Sequence, residues 1–147
     1  MEKNRIYVEK KDGYQVEAKC LRDDLNLNLG LNIKKLRLLN VYDLFGFSKE
    51  LLNKTRYQVF GEIVTDNVYD EIDFGDNLYL AVEFLPGQFD QRASSAKACT
   101  MLVEPSANVE IKSGKLIIFD DSISNDDLAR IKKYYINAVE AREKDLN

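Results

Sequence analysis

Hydrophobic and polar residues alternate over several short stretches of this chain, and the alternation predicts β-strands. The strands are predicted over residues 5–9, 35–45, 77–84, 109–111 and 115–119. Ser113–Gly114 separates the last two stretches and predicts a hairpin turn or a bulge. The polar stretch 62–72 carries spaced apolar residues, and we interpret it as an irregular connection or a short edge strand.

Apolar residues at helical spacing predict four helices between these strands. The helices are predicted to begin after Gly13, at Ser48, at Ala96 and at Ser124. The run Leu25–Leu29 also alternates like a strand, but a helix is favoured because the row of leucines continues upstream and Gly30 is suited to a helix end. The charged segment 140–147 is expected to fray into a linker.

The two halves of the chain, about 1–74 and 75–147, repeat one pattern. Four echoes occur in the same order: Val8-Glu9 with Val82-Glu83, Ala18-Lys19 with Ala96-Lys97, Ser48 and Leu52 with Ser124 and Leu128, and Asp66-Asn67-Val68 with Asn137-Ala138-Val139. Each half has the order strand–helix–strand–helix, followed by a short tail. Since a half of this size has a marginal core, we expect the halves to pair their sheets about a pseudo-two-fold axis. The predicted fold class is α+β, a single domain of residues 1–147 whose antiparallel sheet is packed by helices.

The composition and charge of the chain argue against some classes of function. The formal net charge is -4, which argues against sequence-independent binding of nucleic acid, because such binding needs a basic surface. No apolar run approaches the ~20 residues of a membrane span, and no signal peptide is visible at the start, so a cytoplasmic location is expected. Cys20 and Cys99 lie on predicted helix faces and are interpreted as small core residues.

Catalytic chemistry is not evident in this segment. The chain has no histidine, which excludes Ser-His-Asp and Cys-His chemistry within it and removes the commonest ligand of zinc and iron. The seven glycines are scattered, so no phosphate-cradling loop is present in the sequence. We therefore expect no catalytic residue, no cofactor-binding residue and no metal ligand here.

The segment 85–96 is the candidate site, because it places many polar residues between a predicted strand and a predicted helix. Its candidate residues are Pro86, Gly87, Gln88, Asp90, Gln91, Arg92, Ser94 and Ser95. One interpretation is a well-capped start of a helix, in which Asp90 accepts from backbone amides. The other is a docking or ligand loop, in which Arg92 offers a planar fork to a carboxylate or phosphate. The first half has no equivalent of these polar residues, which favours the second interpretation.

Three stretches of the chain resemble a known family. They are RIYVEKK at 5–11, VEFLPGQFDQRASSA at 82–96 and YYINAVEARE at 134–143. These stretches are similar to the N-terminal, PurS-like domain of the large, single-chain phosphoribosylformylglycinamidine synthase. That domain resembles two copies of the small PurS protein in tandem, so the resemblance implies a tandem PurS-like fold.

The resemblance also implies a function. The parent enzyme is a ligase of de novo purine biosynthesis, a glutamine amidotransferase that uses ATP and glutamine to make the formylglycinamidine ribonucleotide. ATP and magnesium are bound by its synthetase domains, and this segment is implied to be a non-catalytic scaffolding domain. Its implied partners are the synthetase and glutaminase domains of the same chain, and residues 88–95 are the hypothetical contact surface or substrate entrance.

Two other classes of function stay open at this point. The first is a stand-alone, ferredoxin-like regulatory module that binds a small molecule between its halves. The second is an RNA-binding sheet, on which the aromatic residues Tyr7, Tyr42, Tyr79 and Phe119 would stack bases. The negative charge favours a core role for these aromatics instead.

Self-association is a further expectation for the isolated domain. Leu27, Phe45 and Phe47 are apolar residues that we expect to be exposed here and covered only in a larger enzyme.

Overall fold

A computed structural model describes residues 3–85, 88–139 and 141–146. It contains strands β1 (Lys3–Lys10), β2 (Leu36–Phe45), β3 (Asp66–Tyr69), β4 (Tyr79–Phe84), β5 (Glu110–Phe119) and β6 (Ala141–Glu143). The helices are α1 (Val16–Leu29), α2 (Lys49–Thr55), α3 (Gln91–Val103) and α4 (Asn125–Val139), and a π-helical turn (Arg56–Phe60) continues α2. The fold class is therefore α+β, as the sequence predicts.

All six strands form one antiparallel sheet with the order β3-β1-β2-β5-β4-β6. Each half of the chain contributes three neighbouring strands. From the edge of the sheet to its centre, these are the third, the first and the second strand of that half. β2 and β5 meet at the centre over ten residue pairs, from Leu36 opposite Phe119 to Phe45 opposite Glu110. The strand–helix–strand–helix order expected for each half is present, and each half adds a third, edge strand.

The helices cover one face of the sheet in two groups. The π-helical turn, α2 and α3 pack over one end of this face, around residues such as Phe47 and Leu44. The helices α1 and α4 pack over the other end, around Leu25 and Ile131. Because α1 and α2 come from the first half and α3 and α4 from the second, each group combines a helix from either half, which ties the halves together.

The opposite face of the sheet carries no helix among the described residues. Its apolar cluster includes Leu39, Val41 and Leu116, against which Phe74 and Leu146 pack. The connection between the halves and the C-terminal segment therefore cover the part of the sheet that the helices leave open.

The C-terminal segment 140–147, expected to fray, is a structured element over its described residues. β6 pairs with β4, and the Lys144 amide donates to the Ala81 carbonyl at 2.7 Å. The Lys144 side chain reaches Asp43 at 2.6 Å, and Arg5 binds both Asp43 at 2.6 Å and the Leu146 carbonyl at 2.5 Å. The prediction of a linker is wrong because a buried carboxylate on β2 anchors these residues.

β5 is a single continuous strand, so the prediction of a hairpin turn or bulge at Ser113–Gly114 is wrong. Gly114 is required there by packing. A Cβ atom added at this position would lie 2.5 Å from the Val82 carbonyl oxygen of the neighbouring strand. The glycine lets β4 and β5 approach each other.

Gly114→Ala is expected to destabilise the protein by about 1–3 kcal/mol, because the neighbouring backbone must move. Urea denaturation followed by circular dichroism measures this loss. Lys112→Ala is the control, because Lys112 is exposed on the same strand and surface substitutions usually change stability by less than about 0.5 kcal/mol. Equal stability of the two variants would contradict the packing role of Gly114.

Three further expectations about burial are wrong. Cys20 and Cys99 are exposed rather than in the core. Phe47, expected on the surface, is 1% exposed and contacts Phe60 with ring centroids 6.0 Å apart. Helical spacing predicts that a cysteine lies in a helix. Whether its side chain faces the sheet or the solvent depends on the residue at which the helix begins.

The sequence echoes correspond to matching positions in two cases out of four. Val8 and Val82 are buried on β1 and β4. Ala18 is the third residue of α1 and Ala96 is the sixth of α3, so these alanines are not equivalent, and Ala93 has the place of Ala18. Ser48 and Ser124 each accept from the amide three residues later, so both cap a helix. The fourth echo pairs residues of β3 with the end of α4, so these residues are not equivalent.

Candidate functional site

The candidate segment 85–96 is mostly the first part of a helix. α3 begins at Gln91, five residues before the predicted start, so Gln91, Arg92, Ser94 and Ser95 belong to it. α1 begins three residues after position 13 and α3 four residues after position 87, so the connections differ by one residue. The first half therefore has an equivalent connection that is one residue shorter, and most of the polar residues expected to set the second half apart belong to α3.

The connection before α3 is closed by its own hydrogen bonds. Pro86 and Gly87 lie outside the described residues. The Gln88 amide donates to the Leu85 carbonyl at 3.1 Å, and the Gln88 side-chain oxygen accepts from the Leu85 amide at 3.1 Å. Gln88 thus acts on its own loop, which fits a structural role.

Asp90 joins the helix to the sheet. One carboxylate oxygen accepts from the Ala93 amide at 2.9 Å and caps α3. The Ser113 hydroxyl donates to that oxygen at 2.6 Å, and the Ser113 amide donates to the other oxygen at 2.8 Å. The capping interpretation of Asp90 is confirmed, and the link to β5 is an addition that only the structure provides.

The outward face of α3 carries no charge from Ser94 to its end. Its exposed residues are Ser94, Ser95, Ala98, Cys99, Met101 and Leu102. The only charged residue in this stretch, Lys97, is partly buried and pairs with Glu110 at 2.8 Å. Exposed charges are present on α1 and α4, so α3 is the helix whose outer surface is unlike that of an ordinary solvated helix.

Apolar residues also flank the start of α3. Phe89 is 74% exposed, and Phe84 and Leu85 are exposed at the end of β4. Leu102, near the end of the helix, is 83% exposed. Exposed apolar side chains therefore lie at both ends of α3, with the exposed charge of Arg92 between them.

A central cavity of about 270 Å³ lies on the helix-covered face, between the two helical groups. Asn40 on β2 and Lys115 on β5 form its floor and are direct partners in the sheet register. Arg92 of α3 and Glu17 of α1 lie at its sides, so both halves of the chain contribute. Sheet and helix residues distant in sequence are brought together here.

Opposite charges line this central cavity. The Lys115 ammonium lies 3.1 Å from a Glu17 carboxylate oxygen, and Lys10 lies 2.9 Å from Asp66. Burial lowers the pKa of Lys115, the Glu17 charge opposes that shift, and the positive charge of Arg92 adds to it. Arg92 itself has no hydrogen bond or ion pair to any described residue, so the cavity has one unpaired cation.

One buried acceptor oxygen at this cavity lacks a donor within the described part of the chain. The side-chain oxygen of Asn40 is buried and has no hydrogen-bond partner. Asp66 Oδ1, by contrast, lies 2.9 Å from the Lys10 ammonium and forms an ion pair with it. Because a buried acceptor without a donor costs free energy, the Asn40 oxygen marks a place where a donor would bind.

The sequence pointed to only one residue of this cavity, Arg92. A signal for the others is present in the sequence. Asn40 and Lys115 lie inside the most apolar strands at positions that alternation assigns to the interior. A polar residue at such a position indicates a possible site. The face of the sheet on which it lies, and its neighbours there, are known only from the strand register.

The aromatic residues considered for RNA stacking are largely in the core. Tyr7, Tyr42 and Phe119 are buried, and Tyr79 stacks on Phe74 with ring centroids 4.3 Å apart. These rings do not form an open platform for bases.

Comparisons of the chain with family models, with curated proteins and with solved structures found no match. In the described ranges, no group of three or more acidic or cysteine side chains is placed to hold a metal ion. No helix built from the described residues has the length and apolar character needed to span a bilayer.

Proposed function

We propose that the chain is a PurS-like, non-catalytic docking domain of phosphoribosylformylglycinamidine synthase. The uncharged outward face of α3 carries this proposal, because such a face on a helix is usual where a second protein surface covers it. The stretch that resembles the family, 82–96, leads directly into this helix.

The arrangement of the strands supports the tandem PurS-like fold within this proposal. Each half supplies three strands in the order third, first, second, and the halves meet along β2 and β5. A duplicated unit joined about a pseudo-two-fold axis has this arrangement. The partners would be the synthetase and glutaminase domains of the same parent chain, in the cytoplasm.

The chemistry would reside in the rest of the parent enzyme. ATP, magnesium and the glutaminase nucleophile belong to its other domains, and this domain would hold those domains in place. The α3 face and Phe89 would pack on the synthetase domain, while Asp90 keeps the helix in position on the sheet.

The first test is the size of the native polypeptide. An antibody against the 147-residue chain is used to blot a lysate of the source cell. The expected band is several times larger than this chain. A band of this chain's own size, with no synthetase subunit in the complex it forms, would contradict the proposal.

Leu102→Lys in the full-length protein is expected to lower glutamine-dependent amidine formation about tenfold or more, because a charge would be buried in the interface. Val16→Lys is the matched control, since Val16 is an apolar helix residue that is 68% exposed, but it lies on α1. Steady-state assays and the melting temperature of each variant are measured. Equal activity of the two variants would contradict docking through α3.

The central cavity favours a second candidate function, a stand-alone ferredoxin-like module that binds a small molecule between its halves. The blot separates the candidates, because a stand-alone module would be no larger than the chain itself.

A further inference from the structure

The central cavity has the features of a built binding site. It is a concave space on the rigid sheet, with charged side chains from α1, α3, β1, β3 and β5 around it. Lys115, which lies at its floor, has a side chain only 23% exposed. Placing an ammonium there costs desolvation, which a structural role in a core would not require.

The cations of the site suit a carboxylate. Arg92 presents an unpaired guanidinium, and Lys115 has one partner, Glu17, whose carboxylate is largely exposed to solvent. Lys10, the third cation that lines the cavity, is paired with Asp66, whereas Arg92 has no partner among the described residues. An anionic group therefore has room between Arg92 and Lys115.

The acceptors of the site suit an ammonium group. The Asn40 side-chain oxygen is buried without a donor among the described residues. The Asp66 carboxylate, which lines the same cavity and pairs with Lys10 at 2.9 Å, supplies a negative charge. A phosphate ion has few donors to offer the Asn40 oxygen. The ligand therefore carries both a negative group and a positive donor.

The cavity is large enough for a small ligand. Its volume of about 270 Å³ accommodates a free amino acid.

We propose that the central cavity binds a free α-amino acid, with the carboxylate held by Arg92 and Lys115 and the ammonium held by Asn40 and Asp66. This inference names the ligand class of the second candidate function and goes beyond the docking function, because the cavity lies between the helical groups whereas docking uses the outward face of α3. The two proposals can therefore fail separately.

The test is calorimetric titration of the purified 147-residue chain with glycine, aspartate, glutamate and glutamine in turn, and with inorganic phosphate. At least one amino acid is expected to bind with a Kd of about 1 mM or tighter. Its N-acetyl and carboxamide derivatives, which each lack one charge, are expected to bind about tenfold more weakly. Absence of binding by all four amino acids, or binding of phosphate alone, would overturn the proposal.

Substitutions of residues that line the cavity test whether the ligand binds there. Lys115→Met and Arg92→Gln are each expected to weaken binding about tenfold or more. Lys112→Met on the opposite face of β5 and Lys97→Met on α3 are the matched controls and are expected to bind normally. Ala18→Leu, which fills the cavity from α1 without changing a charge, is expected to abolish binding. Normal binding by Ala18→Leu and Lys115→Met, with unchanged melting temperatures, would place the ligand elsewhere.

Discussion

Asp43→Ala is expected to lower the free energy of unfolding by about 3–5 kcal/mol, because it leaves two cations partly buried without their partner. Asp43 is 3% exposed and lies between Arg5 and Lys144, each 2.6 Å away. The loss should include release of the C-terminal segment from the sheet, since Lys144 follows β6. Urea denaturation measures the stability, and hydrogen exchange of the Lys144 amide reports the release.

The same carboxyl makes stability depend on pH. Burial would raise the pKa of Asp43, but the hydrogen bonds and charges of Arg5 and Lys144 outweigh that effect and hold its pKa below the ordinary value of 3.8. A depressed pKa in the folded state means that the stabilisation is present above pH 3.8 and is lost as the pH falls through the folded value.

Asp43→Asn is the control that isolates this effect. It keeps the shape of the side chain and removes the charge, so the stability difference from wild type should shrink as the pH falls below about 4. A difference that stays constant from neutral pH down to about pH 2 would show that charge pairing at Asp43 does not stabilise the fold.

Asp90→Ala is expected to destabilise the protein by about 2–4 kcal/mol. Loss of a helix cap costs about 0.5–2 kcal/mol. The Ser113 amide would also lose its acceptor inside β5, which costs about 1–3 kcal/mol for a buried donor. The loss should therefore exceed that of an ordinary cap, as thermal and urea denaturation will measure.

Ser48→Ala is the matched control for that variant. Ser48 caps α2 through one hydrogen bond to the Leu51 amide at 3.0 Å and has no link to the sheet in the described part of the structure. It should cost about 1 kcal/mol. If Asp90→Ala costs no more than Ser48→Ala, the bond to Ser113 contributes nothing to stability, and Asp90 is only a cap.

Much of the fold was predictable because local patterns decide local structure. The leucine row before Gly30 predicts α1 against the competing strand pattern, and Gly30 ends the helix with φ of +65°. Ser48 and Ser124 are caps as their spacing indicates. In each case the stabilising contacts join residues a few positions apart, so the sequence contains both partners.

The errors arise where contacts join distant residues. β6 exists because β4 offers a free edge and Asp43 holds Lys144, which is 101 residues away. Gly114 looks like a turn residue in sequence but allows a close approach to Val82. The hydrophobic pattern assigns these residues to elements of the chain but does not identify their partners across the sheet.

Some properties of the candidate site follow from the sequence, and others follow only from the tertiary structure. The sequence of this protein determines that a strand leads through a turn into a helix, because turn chemistry and periodicity act within a few residues. It predicts the helix to begin at Ala96, and only the structure places Arg92 in its first turn. Only the tertiary structure decides that Asp90 binds β5, that α3 has an uncharged outer face, and that Arg92 shares a cavity with Lys115 and Asn40. The physical reason is that strand register and helix placement follow from packing over the whole sheet, and they alone bring residues of both halves to one place.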